Sequence, residues 1–172
     1  MRGSRPDRHL PRSGLAQWSP GAPTPSGPDR ATNSTTKAFD HARPGDVIVV
    51  NGSGDDTPAL IGDLIGIRAK SLAIAGFVIG GAVRDADALA ELGLPVFARC
   101  VTPAGPYNDG PSRLSEPLAL RGFVAYSCDG VAADADGVVV VKSADVDDVI
   151  VAAEDVVPRE ASKRGSFSSG MR

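Results

Sequence analysis

Cysteine is scarce. The 172 residues hold two, Cys100 and Cys128, too few for a disulfide framework, and neither belongs to a Cys-x-x-Cys pair that would seat zinc or run redox exchange. Histidine is as rare, and His9 and His41 lie too far apart to suggest a shared site; His41 reads as a helix-end residue, not a base. Aromatic residues are 5% of the chain, so Val, Ile, Leu and Ala must build any core. No apolar run approaches the roughly 18 residues of a membrane span. The start, Met1-Arg2-Gly3-Ser4-Arg5, leads into no apolar stretch of the secretory type. The expected compartment is the cytoplasm, with no membrane partner. Gly52-Ser53-Gly54 lacks the Lys-Ser/Thr of a phosphate-binding loop, and no Gly-x-Gly-x-x-Gly follows an apolar run, which argues against a nucleotide site.

What is present is a 42% hydrophobic chain with 23% charged residues, enough apolar material for a packed core. Charge is uneven. Residues 1–43 carry +4, residues 44–160 carry −10 and residues 161–172 carry +3, for a net −3. The acidic body lacks the clustered Lys and Arg that phosphate contacts need, so nucleic acid is not an expected partner. Residues 1–31 are rich in proline and arginine and predict a disordered segment; 161–172 predict a disordered tail. One domain is expected over 32–160.

Inside that domain the pattern alternates. Thr32 to Ala42 suits a short helix, and Pro44-Gly45-Asp46 a turn. Val47-Ile48-Val49-Val50 is a continuous apolar run of the kind covered on both faces of a parallel sheet. Thr57 to Leu72 has Leu60, Ile61, Leu64 and Ile65 at helical spacing. Ala75 to Ile79 and Pro95 to Arg99 read as further strands, with a short helix, Ala86 to Leu92, between them. Beyond residue 100 the signals turn to β: a hairpin around Arg121-Gly122, and another around Asp134-Ala135-Asp136-Gly137. The last helix, Asp145 to Asp155, presents Val146, Val149, Ile150 and Ala153 as an apolar stripe. The order predicts a layered α/β sandwich with a β-rich second half.

Chemistry is expected in the loops at the carboxyl ends of the buried strands. Arg84 and Asp85 follow the second strand, in the loop that begins with Gly80-Gly81. Arg suits a carboxylate held through two parallel hydrogen bonds, and Asp is a hard oxygen ligand for Mg²⁺. The same pair could instead cap and solvate the next helix. Gly62-Asp63 either interrupts a helix, freeing the amides of Leu64 and Ile65 as an anion site, or is a tolerated glycine in one continuous helix; the pattern alone favours the second. Asp134-Ala135-Asp136-Gly137 lacks the later bidentate Glu of a calcium loop and reads as a turn. Cys100 ends an apolar strand and reads as a small buried hydrophobe.

Five stretches in order carry a resemblance: Ala42 to Val50, Ala59 to Ile65, Gly80 to Asp85, Leu94 to Ala98, and Ala133 to Val140. Together they resemble the family of regulator of ribonuclease activity A and the class II 4-hydroxy-4-methyl-2-oxoglutarate (4-carboxy-4-hydroxy-2-oxoadipate) aldolases. The resemblance implies a layered α/β/α sandwich of swivelling-domain-like fold, assembled as trimers or hexamers with active sites between subunits. It implies metal-dependent cleavage of a 4-hydroxy-2-oxo acid to pyruvate and a second oxo acid, with oxaloacetate decarboxylation, and Mg²⁺ or Mn²⁺ as cofactor. Gly62-Asp63-Leu64-Ile65 matches the family segment that binds substrate through backbone amides, which overrules the continuous helix. Arg84 matches the substrate-binding arginine, Asp85 the metal ligand, and Asp63 an acidic position that holds the metal's water. The alternatives within the resemblance are a non-enzymatic regulator of a ribonuclease and an inactive, truncated relative. Family members carry further N-terminal helices and a strand where this chain has its Pro/Arg-rich segment. Ser112 to Glu116 lacks the family's Glu and Asn, and Ser127-Cys128 replaces a frequent Pro-Gly.

Overall fold

The computed structural model describes residues 13–18, 34–106, 112–120 and 122–169. The three apolar runs become parallel strands of one sheet: β2 (Val47–Asn51), β4 (Gly76–Val83) and β5 (Val96–Val101). The mixed α/β class holds. β1 (Ser13–Trp18) lies parallel on the free edge of β2, and β6 (Ser112–Leu114) lies antiparallel on β1. On β4, one side pairs with β5. The other pairs with β2 from Gly76 to Gly80 and then with the short β3 (Ala59–Ile61) at Ala82 and Val83.

The β2 and β4 runs are covered on both faces because successive strand side chains point opposite ways, whereas β5 is partly exposed along its length. Ile48, Val50, Phe77 and Ile79 face one core, shared with Ala38, Ala69 and Leu89. Those three sit on α1 (Ser34–Ala38), α2 (Asp63–Ser71) and α3 (Ala86–Glu91). Val47, Val49 and Val78 face a second core with Leu118, Ala125 and Val131. These come from two antiparallel hairpins, β7 (Leu118–Leu120) with β8 (Phe123–Ala125), and β9 (Gly130–Asp134) with β10 (Gly137–Val141). The second covering layer is therefore built from the β-rich half. Burying a Val or Ile side chain contributes roughly 1.5–3 kcal/mol, so an isoleucine-rich core on the helix side and a valine-rich core on the hairpin side carry the fold with few aromatics.

A buried carboxylate ties the hairpin layer together. Asp129, 4% exposed, accepts from the Tyr126 amide at 2.9 Å and the Ser143 amide at 3.0 Å. It thereby fixes the turn after β8 to the 3₁₀ turn, Ser143–Asp145, that follows β10.

Three expectations need correction. Thr57 to Leu72 is not one helix: Ala59, Leu60 and Ile61 are buried in a strand pairing with the end of β4, and Gly62, extended at φ −145° and ψ −166°, starts α2. Residues 13–18 of the expected disordered segment form β1, because the open edge of β2 supplies a hydrogen-bonding ladder that the segment cannot make by itself. The rest of that segment before residue 13, and residues 19–31, lie outside the described residues. Residues 161–169 of the expected tail continue α4 (Val146–Ser169), since extending a helix already started fixes one residue per added bond. α4 is 24 residues long, contains Pro158 and leaves Val149, Val156 and Val157 exposed. Among the described residues no helix is long and apolar enough to cross a membrane.

Candidate active site

Two loops meet at one edge of the sheet because β3 runs beside the end of β4. Ile61 is in register with Val83, and the Arg84 amide donates to the Ile61 carbonyl at 3.0 Å. Gly62-Asp63 leaves β3 and Arg84-Asp85 leaves β4 at this same point. Of the residues singled out in sequence, Gly62, Asp63, Arg84 and Asp85 are thus brought together.

Asp85 Oδ2 lies 3.3 Å from Arg84 Nε and accepts from the Asp63 amide at 3.4 Å. Asp85 is the residue before α3, and the Leu89 amide donates to its carbonyl at 2.9 Å, yet its side chain does not cap that helix. It reaches the start of α2 instead. The backbone accommodates this with a left-handed conformation, φ 53° and ψ 41°, which costs a non-glycine residue roughly 1–2 kcal/mol. Such strain is often stored at functional positions.

Gly62 makes the approach possible. A Cβ there would stand 2.6 Å from Asp85 Oδ2 and 2.8 Å from Arg84 Nε, closer than real side chains come. Asp63 Oδ1 accepts from the Leu64 amide at 2.7 Å. The first amides of a helix have no acceptor within it; those of Asp63 and Leu64 are taken by carboxylates, and the Ile65 amide meets no acceptor among the described residues. The Leu64 side chain is 70% exposed, while Ile65 packs partly against the helix-side core. The Arg84 and Asp85 side chains are 37% and 41% exposed, so their ion pair contributes little to stability and both groups remain open to a ligand.

A third loop completes the edge, and sequence reasoning missed it. After β5, Thr102 Oγ1 donates to the Thr57 carbonyl at 3.2 Å and the Ala59 amide donates to the Ala104 carbonyl at 3.1 Å. This brings Gly105 against Arg84, where a Cβ would be 3.5 Å from Nη1. The available signal was the run Thr102-Pro103-Ala104-Gly105-Pro106, which ends a strand on the same sheet edge.

Among the described residues no three His, Cys, Asp or Glu side chains converge into a metal cage. The donors that fit a divalent cation are Asp85, whose Oδ1 meets no partner among the described residues, and Asp63. One or two carboxylates, with the remaining positions filled by water and substrate, is the usual arrangement for Mg²⁺. The other sequence candidates stay apart from chemistry. Asp134 Oδ1 accepts from the Asp136 amide at 2.9 Å, as in an ordinary turn. His41 is exposed. Cys100 is partly buried with Sγ 3.9 Å from the Asp56 carbonyl, and His9 lies outside the described residues.

The profile of a family described as "RraA-like: Aldolase/RraA" matches residues 23–140. A protein of Halalkalibacterium halodurans named "Putative 4-hydroxy-4-methyl-2-oxoglutarate aldolase" is 39% identical over 135 residues, covering 78% of this chain and 64% of its own length. The chain therefore spans less than two thirds of that relative. In structure, an uncharacterized protein of Pseudomonas syringae aligns with a TM-score of 0.81 at 25% identity, covering 95% of this chain and 72% of its own. Streptomyces coelicolor RraAS2, described as an unusual member of the RNase ES inhibitor RraA protein family, aligns with a TM-score of 0.79 at 27% identity, covering 91% and 77%.

Proposed function

The chain belongs to the RraA-like (Aldolase/RraA) family, and from that membership we propose a lyase that cleaves 4-hydroxy-4-methyl-2-oxoglutarate-type acids to pyruvate and a second oxo acid, and that decarboxylates oxaloacetate. The observation that carries the reading is the convergence of Arg84, Asp85 and the start of α2 within 3.4 Å. A guanidinium, a carboxylate and helix-start amides are what a small, doubly charged oxo acid needs to be held in one orientation.

In the proposed reaction Arg84 binds a substrate carboxylate, and the amides at the start of α2, from Gly62 to Ile65, fix the other end once the substrate displaces the Asp85 and Asp63 carboxylates from the Asp63 and Leu64 amides. The bond between C3 and C4 breaks and its electron pair passes to C3, giving the enolate of pyruvate. The proton of the 4-hydroxyl leaves to a water held by Asp63, and C4 becomes the carbonyl of the second oxo acid. Arg84 offsets the charge that develops on the pyruvate half. Protonation at C3 then releases pyruvate. Mg²⁺ or Mn²⁺ held by Asp85 would polarise the 2-oxo group. Loss of CO₂ from oxaloacetate leaves the same enolate, so one site serves both reactions. The site is proposed to lie near a subunit boundary in a homotrimer or hexamer.

The test is pyruvate release from either substrate by the full chain with Mg²⁺, with and without EDTA. Release that EDTA abolishes supports the proposal, and no release above background overturns it. A second reading, inhibition of a ribonuclease by protein contact, is favoured by the names of the Streptomyces structure and of a Thermus RNA-processing inhibitor that aligns with a TM-score of 0.65 at 25% identity. A pull-down with a ribonuclease E-type enzyme separates the two.

A further inference from the structure

The register of β4 against β5 slips once. Ile79 pairs with Ala98 and Ala82 with Cys100, so Gly80 and Gly81 together stand opposite Arg99 alone. This is a β-bulge, a device that re-aims a side chain and is enriched beside ligand sites. Neither bulged position has room for a side chain. A Cβ on Gly80 would collide with Leu120, and one on Gly81 would lie 2.8 Å from Leu60 Cδ1.

Arg99 interrupts an otherwise apolar strand and is anchored at one point. Its Nη2 lies 3.0 Å from Asp56 Oδ2. Asp56 Oδ1 is buried and meets no donor among the described residues, so the contact is single-pronged. A guanidinium carries five N–H donors, and most of its fork is left for another acceptor. The side chain is 42% exposed.

Two hollows meet at this guanidinium, sharing Gly80, Arg99 and Leu120. One, about 220 Å³, is lined by Asn51, Ser53 and Gly54 from the loop after β2. The other, about 410 Å³, is lined by Val78, Phe97, Phe123 and Val138. The result is a shallow groove, open to solvent, with a polar end, an apolar end and a cation between them. It shares no residue with the Arg84 site.

We infer that this groove binds a monocarboxylate with an apolar tail, its head on Arg99 and its tail along Phe97, Leu120 and Val138. The charge balance selects the head group. Arg99 is the single cation among the described lining residues and Asp56 already faces it. Because Asp56 already balances its charge, the guanidinium offers free N–H donors and no net positive charge, so a single carboxylate adds the least repulsion and a phosphate dianion is repelled more strongly.

Octanoate is the probe, titrated calorimetrically into the full chain. Saturable binding is expected, roughly tenfold weaker in Arg99→Gln, from loss of a charge-assisted hydrogen bond. Arg99→Lys should fall between, and Arg84→Gln should bind like the parent. Acetate, which lacks the tail, should not bind saturably at millimolar concentration. Far-UV circular dichroism of each variant separates lost binding from lost folding. Equal octanoate binding by the parent and Arg99→Gln overturns the inference. So does a loss confined to Arg84→Gln, or no binding because a second copy of the chain covers the groove.

Discussion

Asp85 Oδ2 accepts from the Asp63 amide at 3.4 Å across 22 residues of sequence, although Asp85 stands at the start of a different helix. One carboxylate thereby holds the start of α2 beside the Arg84 guanidinium, and its backbone is strained to do so.

Replacing Asp85 by glycine should separate stability from chemistry. Glycine relieves the strain at φ 53° but adds conformational entropy to the unfolded chain, and the two nearly offset, so Asp85→Gly is expected to change the unfolding free energy by no more than about 1 kcal/mol. Pyruvate release should fall to background. Urea unfolding and the release assay on the same preparation check both halves. A variant that is active, or is destabilised by several kcal/mol, contradicts this account of the site.

Gly62→Ala should impair activity far more than folding. The added Cβ meets side chains that are more than a third exposed and free to swing outward, so the cost to stability is expected to stay near 1 kcal/mol. The displaced Arg84 and Asp85 no longer converge, and kcat/KM should drop at least tenfold. Unchanged kcat/KM would show that the close approach is dispensable.

Asp129 offers the opposite pattern. Asp129→Ala leaves two amides without their acceptor and should cost about 2–4 kcal/mol. Asp129→Asn keeps one acceptor oxygen and should cost about half as much. Denaturant midpoints measure both, and a neutral Asp129→Ala would mean that the turn is held by other contacts.

Assembly is tested through α4. Light scattering after gel filtration should give a trimer or a multiple of it, and the double variant Val149→Asp, Val156→Asp should lower the mass. A parent chain that runs as a monomer near 17.6 kDa rules out the proposed assembly.

Much of the fold was legible in the sequence because its signals are local. The runs at Val47–Val50 and Ala75–Ile79, the hairpin that pairs Leu120 with Phe123 and the Asp134 to Gly137 turn each carry their structure in neighbouring residues. Where partners are distant the reading failed. Leu60 and Ile61 share helical spacing with Leu64 and Ile65, and only pairing with the end of β4 makes them a strand. The Arg84-Asp85 pair could be located from its place after a buried run, but its meeting with Gly62 depends on that same pairing. The Gly80-Gly81 bulge depends on the register of two strands, which no local pattern encodes.

The bareness of α4 has a consequence for amide exchange. Most of a helix's stability in a protein comes from packing of one face, and every residue of α4 from Val151 to Phe167 is exposed. In a lone protomer its backbone N–H groups would trade deuterium within the earliest time points, long before those of Val49 or Val78. Slow exchange along α4 would register a cover over the helix, and the residues slowed would trace that cover's footprint.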